Sequence, residues 1–142
     1  MRFIVILLLF MVVAVSHAET YAVKNPVPKQ TLTITRQEVS WIYGMKTRFW
    51  EDGTKITVYY LDRNSPIHKS FVTKVLGIPV EKFDTLLATY LNSGNAGSFR
   101  MAKSEQSVMS SVGLIDGSVG YVDEDTLAIS GGGYVTKVKI VN

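Results

Sequence analysis

The run KITVYYLDRNSPIHKSF, Lys55 to Phe71, constrains the fold more than any other stretch of the chain. Lys55 to Leu61 is rich in β-branched and aromatic side chains and reads as a strand. No hairpin turn follows it. Asp62 ends the strand, Asn64 or Ser65 is placed to cap a helix, and Pro66 falls at the first helical position, where a missing amide costs nothing. Ile67, Phe71, Val72 and Val75 then recur at helical spacing until Gly77 closes the helix. A strand that feeds straight into a helix belongs to an α/β fold.

The other elements agree with that class. Thr20 to Val23 reads as a short strand, and Asn25-Pro26-Val27-Pro28 as a loop that no helix could occupy. TRQE, Thr35 to Glu38, has the form of a capping box, with Val39, Ile42 and Tyr43 on one face of the helix and Gly44 as its stop. Trp50 to Gly53 reads as a turn. Pro79 opens a helix whose apolar stripe is Val80, Phe83, Leu86, Leu87, Tyr90 and Leu91, followed by the small-residue loop Asn92 to Gly97. A further amphipathic segment carries Glu105, Val108, Met109 and Val112. Two strand-like runs close the chain, Gly117 to Asp123 and Tyr134 to Val141. The order β-α-β-α-α-α-β-β predicts one three-layer-like α/β lobe, a mixed sheet flanked by helices.

Residues 1–18 stand apart from this pattern. Arg2 forms a short positive region, Phe3 to Val15 is unbroken apolar sequence, and Ser16-His17-Ala18 offers the small residues that a signal peptidase reads. The apolar run falls short of the roughly 20 residues that span a bilayer as a helix. The expectation is a cleaved signal peptide over 1–18, a single domain over 19–142, and a periplasmic or secreted product with no stable membrane insertion after cleavage. With no cysteine in the chain, lipoprotein attachment, disulfides and thiolate metal sites are excluded. The net charge of +3 includes Arg2, and no basic run exceeds two residues, so nucleic acid is not an expected partner.

Enzymatic chemistry finds little support. Outside the leader His68 is the one histidine, which leaves no metal-binding cluster and no expected cofactor. Ser65 or Ser70 near His68 lacks the strained elbow that hydrolases use. As a lone histidine, His68 is expected on the helix surface beside the apolar face. Gly131-Gly132-Gly133 lacks the Lys-Ser or Lys-Thr of a P-loop and reads as a turn between strands. Trp41 and Trp50 read as core or interface residues before they read as a sugar platform.

The strand-to-helix junction carries the strongest binding signal. Such a junction is the usual ligand position in an open α/β sheet, and the first helical amides sit at the positive end of the dipole. An oxyanion there could accept from those amides, from the Ser65 hydroxyl and from the Arg63 guanidinium, with Asn64 and Lys69 in support. The alternative remains open that Asn64 or Ser65 only caps the helix while Arg63 pairs with a carboxylate. The loop Asn92 to Gly97 could offer backbone amides, or it could be a helix end with a connector.

From Tyr21 to Asp123 the order of segments resembles the phosphate ABC transporter substrate-binding family, the type 2 periplasmic binding proteins. LTITRQEVSWIYGMKTRFWEDGTKITVYYLDRN is similar to that family's run of leucine, acidic helix, Ile-Phe-x-Gly, Trp-x-Asp-Gly and strand. SPIHKSFVTKVLG stands where the family has a serine-led helix, and SGNAG followed by SVGYVD resembles its glycine loop and Gly-x-Ile-Gly-Tyr-Val strand. The resemblance implies a compact periplasmic-binding-protein fold. It makes Arg63 and Ser65 the counterparts of an Arg-x-x-Ser-Gly-Thr oxyanion loop and Ser93-Gly94-Asn95 a second, backbone contact. Here Pro66-Ile67 replaces the Gly-Thr pair, which removes a hydroxyl and an amide donor. Family members that serve transport close two lobes over the ligand, whereas this chain has one lobe's worth of residues. The expectation is therefore a non-enzymatic module binding phosphate or another small oxyanion weakly, as a homodimer or docked on an envelope partner if the site is to be covered. The alternative is an interaction or scaffold protein of the envelope that keeps the fold without the ligand.

Overall fold

The computed structural model describes residues 20–26, 33–94, 96–129 and 135–142. Residues 1–19, which include the expected leader, part of the expected Asn25–Pro28 loop, Asn95 and the expected Gly131–Gly133 turn lie outside the described residues.

The short capping sequences behave as local chemistry dictates. Helix α1, Arg36–Tyr43, starts at Thr35, whose side chain accepts from the Glu38 N–H while Glu38 Oε2 accepts from the Thr35 N–H at 2.7 Å. Val39, Ile42 and Tyr43 are buried, and Gly44 ends the helix. Strand β1 spans Thr20–Lys24 and β3 spans Thr57–Leu61. Lys55, expected within β3, instead makes an isolated antiparallel bridge with Phe49 across the Trp50–Gly53 turn.

Three elements go beyond the expected order. Strand β2, Thr33–Thr35, precedes α1 directly, β4, Phe99–Ala102, follows the loop after residue 92, and helix α5, Glu124–Ile129, follows strand β5, Ser118–Asp123. Strand β6 is Thr136–Val141. The sheet is mixed, in the order β2-β6-β1-β5-β3-β4. Strand β1 runs antiparallel to both β5 and β6, while β3 is parallel to both β5 and β4, and β2 is parallel to β6.

The helix expected from Ser65 to Gly77 begins as α2, Pro66–Ser70, and widens into a π-helical stretch over Phe71–Leu76 before Gly77 stops it at φ 69°. Helix α3 is Val80–Asn92 and α4 is Glu105–Leu114. Of the expected α3 stripe, Phe83 and Tyr90 are buried while Leu86 stays exposed.

Neighbouring residues of β5 show the layers. Tyr121 stacks on Phe71 with centroids 4.0 Å apart and meets the Tyr43 ring at 5.8 Å, so α1 and the π stretch cover its face. Gly120 points the other way, against α4. A Cβ at Gly120 would stand 2.5 Å from Val108 Cγ1, so the helix packs directly on the bare backbone. Val108, Met109 and Val112 are the buried residues of α4. The architecture is thus the predicted three-layer α/β lobe.

Candidate functional site

Strands β5, β3 and β4 are adjacent and parallel, so their C-terminal ends share one edge of the sheet. Helices start there after each of them. Ser104 caps α4, its Oγ accepting from the Ser107 N–H at 3.1 Å, and Asp123 Oδ1 accepts from the Thr126 N–H in α5 at 2.8 Å. This edge is where ligands gather in open α/β sheets.

Between β3 and α2 the chain turns tightly. Asp62 Oδ1 accepts from the Asn64 N–H and the Asp62 carbonyl from the Ser65 N–H, both at 2.9 Å. Ser65 is the N-cap, and its Oγ accepts from the His68 N–H at 3.3 Å. Accepting that bond does not use the hydroxyl's own proton. Pro66 has no N–H and the His68 amide is bound to Ser65, so the Ile67 amide is the helix-start donor a ligand could draw on. Arg63 Nη1 lies 3.4 Å from Asp84 Oδ2 of α3, with the two side chains 59% and 32% exposed. A pair that exposed contributes only about 0–1 kcal/mol, so an incoming anion could compete for the guanidinium.

Behind this turn sits a buried polar pair. His68 is 1% exposed, not at the surface as its isolation in the sequence led us to expect. Its burial is made tolerable by a partner from β5, for His68 Nδ1 and Tyr121 Oη are 2.5 Å apart. Tyr121 Oη also accepts from the Leu61 N–H at 2.9 Å, so this one oxygen joins β3 to the imidazole. Desolvation lowers the His68 pKa below its usual 6.5, against the pull of Asp84 and Asp62. Burial likewise raises the Tyr121 pKa, so the phenol keeps its proton. Phe83 presents itself to the imidazole in a T-shaped contact at 5.2 Å.

The structure brings Arg63, Asn64, Ser65 and Lys69 together at this edge. It places Ser93 and Gly94 elsewhere. They follow the C-terminus of α3 and precede β4, and the start of β4 pairs with the start of β3, so they lie at the opposite edge. Ser93 Oγ donates to the Tyr90 carbonyl at 2.6 Å and Gly94 takes φ 83°, the geometry of a helix end. That end carries the negative pole of the helix dipole, which disfavours an anion. Asn95 lies outside the described residues.

Reading the sequence alone missed Asp84, Ser104 and Tyr121. Ser104 before Glu105 is an N-cap signal and could have been found. Asp84 and Tyr121 carry no local signal for their roles. Among the described residues no three His, Cys, Asp or Glu side chains form a group that could hold a metal ion. No described helix is long and apolar enough to cross a membrane.

No protein-family model matches the sequence, and no curated protein is similar to it. Solved structures do share the fold. PstS from Borrelia burgdorferi is 19% identical with a TM-score of 0.62, over 87% of this chain and 47% of that one. An ABC-type phosphate transport receptor from Vibrio cholerae is 16% identical with a TM-score of 0.65, over 87% and 46%. A phosphate-binding protein from Stenotrophomonas maltophilia is 19% identical with a TM-score of 0.61, over 87% and 39%. The chain therefore has the fold of phosphate-binding proteins of ABC transporters and spans less than half the length of these three.

Proposed function

We propose that this chain is a non-enzymatic, oxyanion-binding module of the envelope, with residues 1–18 removed as a signal peptide and residues 19–142 acting in the periplasm or outside the cell. One observation carries the reading. Arg63 and Ser65, two residues apart, lie in the turn where β3 ends at a helix start, on the edge where three parallel strands end. Structures with this fold include proteins described as phosphate-binding, which supports the choice of ligand class. Asn64 and Lys69, both exposed, extend the positive and hydrogen-bonding surface.

The donor set is small, so binding is weak. At its centre stand one guanidinium, one hydroxyl and one helix-start amide, with Pro66-Ile67 in place of a Gly-Thr pair. Desolvation is what makes such contacts strong, and an open edge supplies little of it. Isothermal titration with phosphate, sulfate and acetate tests the reading. We expect millimolar-range binding of phosphate or sulfate that Arg63→Ala abolishes. No heat with any anion up to tens of millimolar would sink it.

A second reading is favoured by the same geometry. Ser65 already caps its helix and Arg63 already has Asp84, so the edge is self-satisfied without a ligand. A protein that keeps the fold to contact an envelope partner or a second copy would look this way. It predicts a silent titration and recovery of a defined complex by crosslinking in the periplasm.

A further inference from the structure

Around the helix start at Ser65 stand Asp62, Arg63 and Lys69, all exposed, and α3 brings Asp84 to Arg63. The formal charges of these two acids and two bases cancel, so together they pull only weakly on an anion. The group that can tip this balance lies beneath them. His68 is 1% exposed and sits in the turn of helix that Ser65 caps, its N–H donating to Ser65 Oγ. Its ring is held in place by other elements. Tyr121 of β5 meets Nδ1, Phe83 of α3 meets the ring in a T-shaped contact at 5.2 Å, and Phe71, just beyond α2, stacks on the same Tyr121 ring.

The charged groups that face the imidazole come from two elements. Asp84 of α3 and Asp62 of the turn both favour its protonated form, against the desolvation that lowers its pKa. Tyr121, facing it from β5, stays a neutral phenol because burial raises its pKa. Arg63 and Lys69 carry the same sign as an imidazolium, but both are exposed and screened by water. Asp84 is therefore shared. Its Oδ2 lies 3.4 Å from Arg63 Nη1, and the same carboxylate supports a charge on His68. With the ring neutral this carboxylate answers one cation. With the ring protonated it answers two, and the edge is left with one positive charge in excess. A charge buried behind the edge acts through protein rather than water, so it is felt more strongly than an exposed one.

We propose, on the oxyanion reading given above, that His68 links anion binding at the Arg63–Ser65 edge to proton uptake. An oxyanion is then held more tightly in mild acid than at neutral pH, and the bound anion draws a proton onto the ring. Reciprocity of linked equilibria makes these two effects one factor. Histidine suits this role because its charge changes within the range a periplasmic or extracellular protein meets.

The chain has two histidines, and His17 lies in the expected leader, so a ring signal is readily assigned to His68. The test uses the full chain, expressed with its leader and purified as processed, with sulfate as the probe because it stays divalent throughout. The His68 ring is followed by NMR from about pH 7.5 to about pH 5, with and without sulfate, beside isothermal titration at both ends. Sulfate is expected to bind at least roughly threefold tighter at the acid end and to raise the His68 titration midpoint by about half a pH unit, the same factor seen from the other side. His68→Gln, polar but not titrating, is expected to lose most of that pH dependence. Sulfate that binds with an unmoved His68 midpoint would overturn the linkage and leave the oxyanion reading standing. A ring that stays neutral down to about pH 5 with sulfate bound would do the same. No binding at either pH would overturn both. The ring signal is read in the unmodified chain, so it decides even if the variant fails to fold.

Discussion

Tyr121→Phe removes one oxygen and tests the pair behind the candidate site. That oxygen serves two elements at once: it accepts from the Leu61 N–H of β3 and shares a hydrogen bond with His68 Nδ1 of α2. Tyr121, Leu61 and His68 are 1%, 3% and 1% exposed, so water does not replace the lost partner. An orphaned buried donor costs about 1–3 kcal/mol, and the imidazole nitrogen adds to that, giving about 2–4 kcal/mol in all. For a domain of this size each kcal/mol lowers Tm by about 3–5 °C, so a fall of roughly 6–20 °C is expected. Urea unfolding followed by circular dichroism should show a lower midpoint with an unchanged slope. His68→Leu should cost less, because it leaves the Leu61–Tyr121 bond in place. The double variant should cost less than the two singles together by about 1 kcal/mol or more. A Tyr121→Phe protein within about 0.5 kcal/mol of the parent would refute the reasoning, since it would show that the hydroxyl bridges nothing of consequence.

Two further outcomes follow from the same edge. The His68 pKa is depressed below 6.5 in the fold, so its stabilising contribution is fully present above pH 6.5 and is lost as pH falls from there toward the folded value. The urea midpoint should therefore drop between about pH 7 and pH 5.5 in the parent and drop less in His68→Leu. Asp84→Asn should release Arg63 from its 3.4 Å ion pair and raise phosphate affinity roughly two- to fivefold by titration, the scale of an exposed salt bridge. An unchanged or weaker affinity would show that Arg63 is not the group that meets the anion.

What could be read from the sequence was what is written locally. The Thr35–Glu38 box, the Gly44 and Gly77 stops, and the Asp62–Pro66 junction depend on residues a few positions apart, and each appears in the fold as its chemistry requires. Strands β2 and β4 escaped because three or four residues are too few to show a period, and β4 exposes both of its central residues. The sheet order was out of reach because β1 pairs across about a hundred positions with β5 and β6. The same holds at the candidate site. A cap at Asn64 or Ser65 was legible locally, and the structure gives it to Ser65, whereas the burial of His68 depends on a hydroxyl 53 residues away. Ser93 and Gly94 were grouped with Arg63 by resemblance, and the crossover between β3 and β4 takes them to the far edge.

The brevity of β4 has a consequence for how this molecule behaves in a crowded compartment. Among the described strands it is the last on its side of the sheet, with Arg100 and Met101 exposed and Arg100 Nε donating to the Gly97 carbonyl at 3.2 Å. An outermost strand offers its unpaired backbone to any extended chain that drifts alongside, the first step toward edge-to-edge polymerisation. A four-residue strand gives such a visitor few ladder positions, and a guanidinium beside them would have to be buried or displaced. Lengthening this strand or replacing Arg100 with a β-branched residue would leave the fold intact while turning its quiet border into a template for aggregation.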